Sequence, residues 1–175
     1  MSSQYSLIVS QSRSGGAVRW MRDPSVDPDD KNVGEWESAR MICTYNYRPE
    51  TIKEYCEDML KMSVYYGAPM YPEMNVPHVA LHFTERNYFG YLLHDTDSQT
   101  GRMKANPGFH SGGALKQKLF NLVAEDIQNH GMRCRHIEIL EECGLIRGTD
   151  DMTNFDLFTA YGGTLLAEEC NHASF

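Results

Sequence analysis

The sequence predicts a mixed α/β fold, because segments with strand periodicity come first and helices then alternate with strands. Strands are expected at 5–9, 17–21 and 39–45, where β-branched and aromatic residues lie between turn-forming ones. The Pro- and Asp-rich segment 23–31 is expected to be a loop. The length of 175 residues is typical of one domain with its own hydrophobic core.

The hydrophobic period changes at Pro49, where the helical part of the chain begins. From Pro49 to about Tyr65, apolar residues recur on one helical face, with the proline in the first turn and Gly67 as the residue that ends the helix. The segment 95–112 is expected to be a loop. The remaining pattern predicts strands at 68–74 and 88–93 and helices at 76–85, 113–128, 137–143 and 154–169.

Composition limits the function classes. The net charge of −8 argues against a protein that grips nucleic acid by itself across a broad basic face, although it permits an active site built of carboxylates. The five cysteines are widely spaced, without a C-x-x-C pair, as in proteins with reduced core thiols. The first residues lack the features of a signal peptide. We therefore expect a protein that is made and kept in a cytosol.

Glu73 is the first candidate for chemistry, because it lies at the end of the predicted strand 68–74. A strand that enters a buried sheet normally stays apolar until it exits. An acidic residue at that exit faces the crevice where open α/β sheets bind ligands. A solvated glutamate at a strand end is the alternative interpretation.

A second acidic group precedes and opens the last predicted helix, in the segment 148–158. Asp151 or Thr153 could cap the helix, with no chemistry implied. Asp156 lies beyond the usual capping position, and the small residues that follow it let a helix pack closely on a sheet. This packing would carry Asp156 towards the strand ends.

Carboxylates that converge from distant parts of a chain repel one another and need a cation between them. Hard oxygen ligands favour Mg²⁺ or Mn²⁺. Two such ions activate a water and stabilise the leaving oxygen of a phosphodiester. Paired acidic residues in this arrangement therefore indicate a nuclease.

Three groups of residues occur in the order and spacing of a known family: Tyr71-Pro72-Glu73-Met74-Asn75, Gly108-Phe109-His110-Ser111 with Lys116, and Asn154-Phe155-Asp156-Leu157-Phe158-Thr159-Ala160. Over about 39–167 the chain resembles the nuclease domain of the large subunit of tailed-phage DNA-packaging terminases. No single motif is specific to that family, and the ordered set carries the resemblance.

The resemblance implies an RNase H-like fold, with a mixed five-stranded sheet flanked by helices, and metal-dependent cleavage of double-stranded concatemeric phage DNA. The family holds Mg²⁺ or Mn²⁺ with three acidic residues. The resemblance implies that Glu73 is the second of these acidic residues and Asp156 the third, and that Asp151 supports them. Lys116 stands where the family carries a lysine, which places it near a DNA phosphate; an exposed helix charge is the alternative.

The first acidic position of the family does not match. It ends the first strand, and in this chain Ser10 occupies that place if the strand at 5–9 is the equivalent one. Alternatively, that strand is absent, or an aspartate of the following loop takes the role: Asp23, Asp27, Asp29 or Asp30. A serine hydroxyl bridges two metal ions poorly. We therefore expect an impaired nuclease, or a catalytically inactive RNase H-like module that binds a protein partner.

The sequence contains no G-x-x-x-x-G-K-[ST] motif and thus no P-loop ATPase. The chain is accordingly expected to be a single nuclease domain without the ATPase domain of a packaging motor. The resemblance implies the partners that such a domain needs, namely double-stranded DNA, a terminase ATPase domain, the small terminase subunit and the portal. It also implies a phage protein in the host cytoplasm that is not secreted.

Overall fold

The computed structural model describes residues 14–20, 40–75, 77–97 and 100–169. Within these residues the fold is mixed α/β, as predicted, with two antiparallel strand pairs and five α-helices. The five-stranded mixed sheet that we expected does not occur among them.

The first strand pair joins β1 (Ser14–Trp20) to β2 (Arg40–Tyr47) in antiparallel register, with a bulge after Val18. Both strands were predicted, although β1 begins three residues earlier than expected. The predicted strand at 5–9 and the loop at 23–31 lie outside the described residues.

The helix α1 (Ile52–Tyr66) confirms the predicted helix and has well-defined ends. Thr51 and Glu54 form a capping box, in which each side chain accepts a hydrogen bond from the other residue's backbone N–H. Gly67 ends the helix in the left-handed region, with φ 61°, where glycine has no steric penalty. Pro49 precedes the helix and is not in its first turn, because Thr51 provides the cap.

The helix α2 (His78–Glu85) packs on α1 and buries a small apolar cluster. A hydrogen bond of 2.8 Å joins His82 Nε2 to Glu57 Oε2 across the two helices. The buried members of the cluster are Tyr55, Cys56, Met59, Leu60, Val79, Ala80, Phe83 and Leu92.

The segment 68–74 forms isolated bridges and not the strand that we predicted. Its two bridges are parallel and join Met70 to Leu92 and Glu73 to Phe109. Pro72 lies between them and has no backbone N–H, so a continuous ladder cannot form there. The prediction of extended backbone was right, and the prediction of a regular strand was wrong.

The segment 88–93 was also predicted as a strand, but a 3₁₀ turn occupies Phe89–Tyr91. A hairpin follows, in which β3 (His94–Thr96) pairs with β4 (Met103–Pro107). We had expected a loop there. The hairpin is largely exposed, so it lacks the alternation of apolar and polar residues by which a half-buried strand is recognised.

The three remaining helices were all predicted: α3 (Gly113–His130), α4 (Ile137–Leu145) and α5 (Asp156–Glu169). The last begins two residues later than expected, because a 3₁₀ turn occupies Thr149–Asn154. None of the helices in the described ranges combines the length and the hydropathy that crossing a bilayer requires.

The helix α5 is the centre of the main core, with β1, α3 and α4 packed around it. Nearly every residue of α5 is buried, as expected for a helix that is apolar on all sides. Gly162 lets α3 approach closely, because a Cβ there would lie 3.2 Å from Leu119 Cδ2. Among the small residues that we noted after Asp156, Gly162 therefore serves close packing against the helix α3, whereas we had expected these residues to pack on a sheet.

Arg19 links β1 to two helices through partly buried ion pairs. Its guanidinium donates to Glu168 Oε2 at 3.0 Å and to Asp126 Oδ1 at 3.3 Å. The hydroxyl of Tyr161 also donates to Asp126. These bonds fix the position of β1 relative to α3 and α5, on which the site described below depends.

Candidate functional site

Glu73 is buried at the parallel bridge to Phe109, with only 2% of its surface exposed. Its Oε1 accepts hydrogen bonds from Ser111 Oγ and, at 2.8 Å, from Asn75 Nδ2. Its Oε2 is buried and has no hydrogen-bond partner among the residues that the structure describes. Buried polar atoms are nearly always hydrogen-bonded. An oxygen without a partner therefore resembles the ligand atoms of binding sites, which are unsatisfied when the site is empty.

Burial raises the pKa of Glu73 from 4.5 to about 7, and the Ser111 hydrogen bond and the charge of Lys116 oppose this rise. Desolvation penalises the charged form of a carboxyl more than the neutral one. Near neutral pH this carboxyl therefore exists as a mixture of its two forms. A bound cation would favour the charged form.

Asp156 is the first residue of α5 and is also buried, at 3% exposure. The backbone of β1 passes directly over it. A Cβ on Gly15 would lie 2.6 Å from the carbonyl oxygen of Asp156 and 2.9 Å from its Cβ. The absence of a side chain at Gly15 therefore allows the strand to meet the start of α5.

Tyr55 links α1 to β1. Its hydroxyl donates to the carbonyl oxygen of Gly15 at 3.1 Å. Burial is the main reason why the pKa of Tyr55 lies well above its ordinary value. The electrostatic fields of neighbouring groups, which include Asp156 and Glu73, raise this pKa further. Both carboxyls are thus close enough to act electrostatically on the same buried phenol.

The Gly15→Ala substitution is expected to lower the free energy of unfolding by roughly 1–3 kcal/mol, the usual cost of overpacking. The new methyl group would collide with backbone atoms of Asp156, which cannot move without shifting α5. Urea denaturation measures this loss. The matched control is Gly16→Ala, whose nearest neighbour is the flexible Met59 side chain at 3.0 Å; a loss as large in the control would contradict the assigned cause.

The two other predicted site residues have different surroundings. Asp151 is half-buried, and its Oδ2 accepts a hydrogen bond of 3.1 Å from the backbone N–H of Arg147, which stabilises the turn before α5. Lys116 is half-buried in the first turn of α3, and its charge acts on Glu73. Its contact with a DNA phosphate, and the supporting role of Asp151, stay predictions.

The donor set fits a divalent cation only in part. The buried oxygen of Glu73 without a partner is a suitable hard ligand. Within the described ranges, however, no group of three or more His, Cys, Asp or Glu side chains is arranged to hold a metal ion. Ser10 and the aspartates at 23–30, which we considered for the first acidic position, lie outside the described residues.

Asn75, Ser111 and Tyr55 are site residues to which sequence reasoning gave no role. Asn75 and Ser111 were part of the motifs that carry the resemblance, and a polar side chain two residues after a buried glutamate was a usable signal. Tyr55 was interpreted as part of the apolar face of α1, and no sequence pattern distinguishes it from a core tyrosine.

Comparison of this chain with protein-family models, with curated proteins and with solved structures gives no match. The function is therefore argued from the geometry of the site and from the motifs.

Proposed function

We propose that this chain is the metal-dependent endonuclease domain of a phage DNA-packaging terminase, with an RNase H-like fold, and that it cuts double-stranded concatemeric DNA. The observation that carries the proposal is the buried Glu73 carboxyl, one oxygen of which has no hydrogen-bond partner in the described part of the chain. A carboxyl in this state is costly to keep unless it binds something. A buried carboxyl whose pKa is strongly raised is a feature that clusters at functional sites.

The position of the second acidic residue supports the proposal. Asp156 is buried at the start of α5, and its field and that of Glu73 both reach Tyr55. Two buried carboxyls from segments more than eighty positions apart in the sequence thus act electrostatically on one phenol. Both residues belong to the ordered motifs described above, and these motifs are the reason for interpreting the pair as metal ligands of a terminase nuclease.

In this function Glu73 and Asp156 hold Mg²⁺ or Mn²⁺ through carboxylate oxygens. When bound, the ion supplies an activated water and polarises the phosphodiester. Lys116, close to Glu73, provides positive charge that attracts the DNA backbone and lowers the pKa of the glutamate. The surrounding core excludes water from Glu73 Oε2, and the hydrogen bonds from Asn75 and Ser111 to Oε1 hold the carboxyl in place.

The proposed setting follows from the family. The partners would be double-stranded DNA, a terminase ATPase domain, the small terminase subunit and the portal, in the cytoplasm of the host. The acidic net charge of −8 is consistent with DNA delivered by another domain and not gripped by this one alone.

A second candidate function is a catalytically inactive RNase H-like module that binds a protein partner. It is favoured by one observation, that the described residues offer no group of three metal-ligating side chains. In this alternative Glu73 and Asp156 are remnants of a site, and no metal binds to them.

The test is cleavage of supercoiled plasmid by the purified protein with Mn²⁺, beside the Glu73→Gln and Asp156→Asn variants. We expect the protein to nick the plasmid and each variant to lose this activity by at least about 100-fold, because a neutral amide is a poor ligand for a hard cation. Calorimetric titration with Mn²⁺ accompanies the assay. The variants keep the shape of the side chains and so preserve the fold.

Matched controls are Glu85→Gln and Asp150→Asn, which neutralise exposed acidic residues near the same segments. They are expected to cleave as well as the unmodified protein. Cleavage that survives both active-site variants would contradict the proposed ligands. A protein that neither binds Mn²⁺ nor cleaves would support the inactive module.

A further inference from the structure

We draw no further inference here: the strongest candidate, the exposed apolar surface that Ile137 and Leu145 form on α4, carries no proposal because nothing in the structure shows what covers it, and the glutamates and arginines of both charges around it favour no single class of partner.

Discussion

The Gly108→Ala substitution is expected to lower the free energy of unfolding by about 3 kcal/mol. Gly108 has φ 69°, which costs a residue with a side chain roughly 1–2 kcal/mol. An added Cβ would also overlap the carbonyl oxygen of Pro72, which adds a penalty of the size that overpacking usually causes, about 1–3 kcal/mol. For a domain of this size, the melting temperature should fall by about 6–12 °C.

The collision also affects the site. The carbonyl oxygen of Pro72 accepts a hydrogen bond of 3.0 Å from the backbone N–H of Phe109, next to the bridge that places Glu73. Moving this carbonyl to make room for a methyl group displaces the segment that carries Glu73. We therefore expect the Gly108→Ala variant to lose Mn²⁺ affinity even at temperatures where it is folded.

Gly101→Ala is the matched control for this prediction. Gly101 has a similar φ, 65°, but an added Cβ there would have no atom within 4 Å. The control therefore measures the cost of the backbone conformation alone, roughly 1–2 kcal/mol. Equal losses in the two variants, measured by thermal and urea denaturation, would show that the overlap with Pro72 has no effect.

The Glu73→Gln substitution is expected to stabilise the protein at neutral and alkaline pH, by up to about 3 kcal/mol. The folded protein binds the Glu73 proton more tightly than the unfolded chain does, because burial raises the pKa from 4.5 to about 7. Stability therefore falls as the pH rises through this interval and stays lower above it. Glutamine has no proton to lose and is free of this penalty.

Denaturation of both proteins between pH 4 and pH 8 checks the prediction. The two stabilities should be similar at pH 4, where Glu73 is protonated, and should diverge as the pH rises. The control is Glu141→Gln, an exposed glutamate of α4, which should follow the unmodified protein at every pH. Parallel curves for Glu73→Gln and the unmodified protein would refute a buried carboxyl with a raised pKa.

Mn²⁺ should reverse the order of stability of the unmodified protein and the Glu73→Gln variant. A ligand that binds only the folded state stabilises it by about 2.7 kcal/mol at a concentration 100 times its dissociation constant. The unmodified protein is therefore expected to gain stability in Mn²⁺, while Glu73→Gln gains none. A residue that destabilises the fold without metal and stabilises it with metal is retained for function and not for folding.

Local patterns predicted the helices well. The apolar period and the flanking signals located α1 and its terminal Gly67, and the small residues of α5 indicated that this helix packs closely on a neighbour. These features depend on neighbours within a few positions in the chain, where propensity, caps and glycine act directly. The strands after α1 were predicted less well, because Pro72 interrupts one of them and the hairpin of β3 and β4 is exposed.

By itself, the sequence determined the mixed α/β class, most helix positions and the two acidic residues that we singled out, Glu73 and Asp156. Only the tertiary structure decided that both are buried, that both act electrostatically on Tyr55, and that Oε2 of Glu73 has no hydrogen-bond partner among the described residues. It also decided that Asn75 and Ser111 share the other oxygen. The physical reason is that hydrogen-bond satisfaction and desolvation depend on contacts between distant segments, and no local periodicity records which polar atoms those contacts leave without a partner.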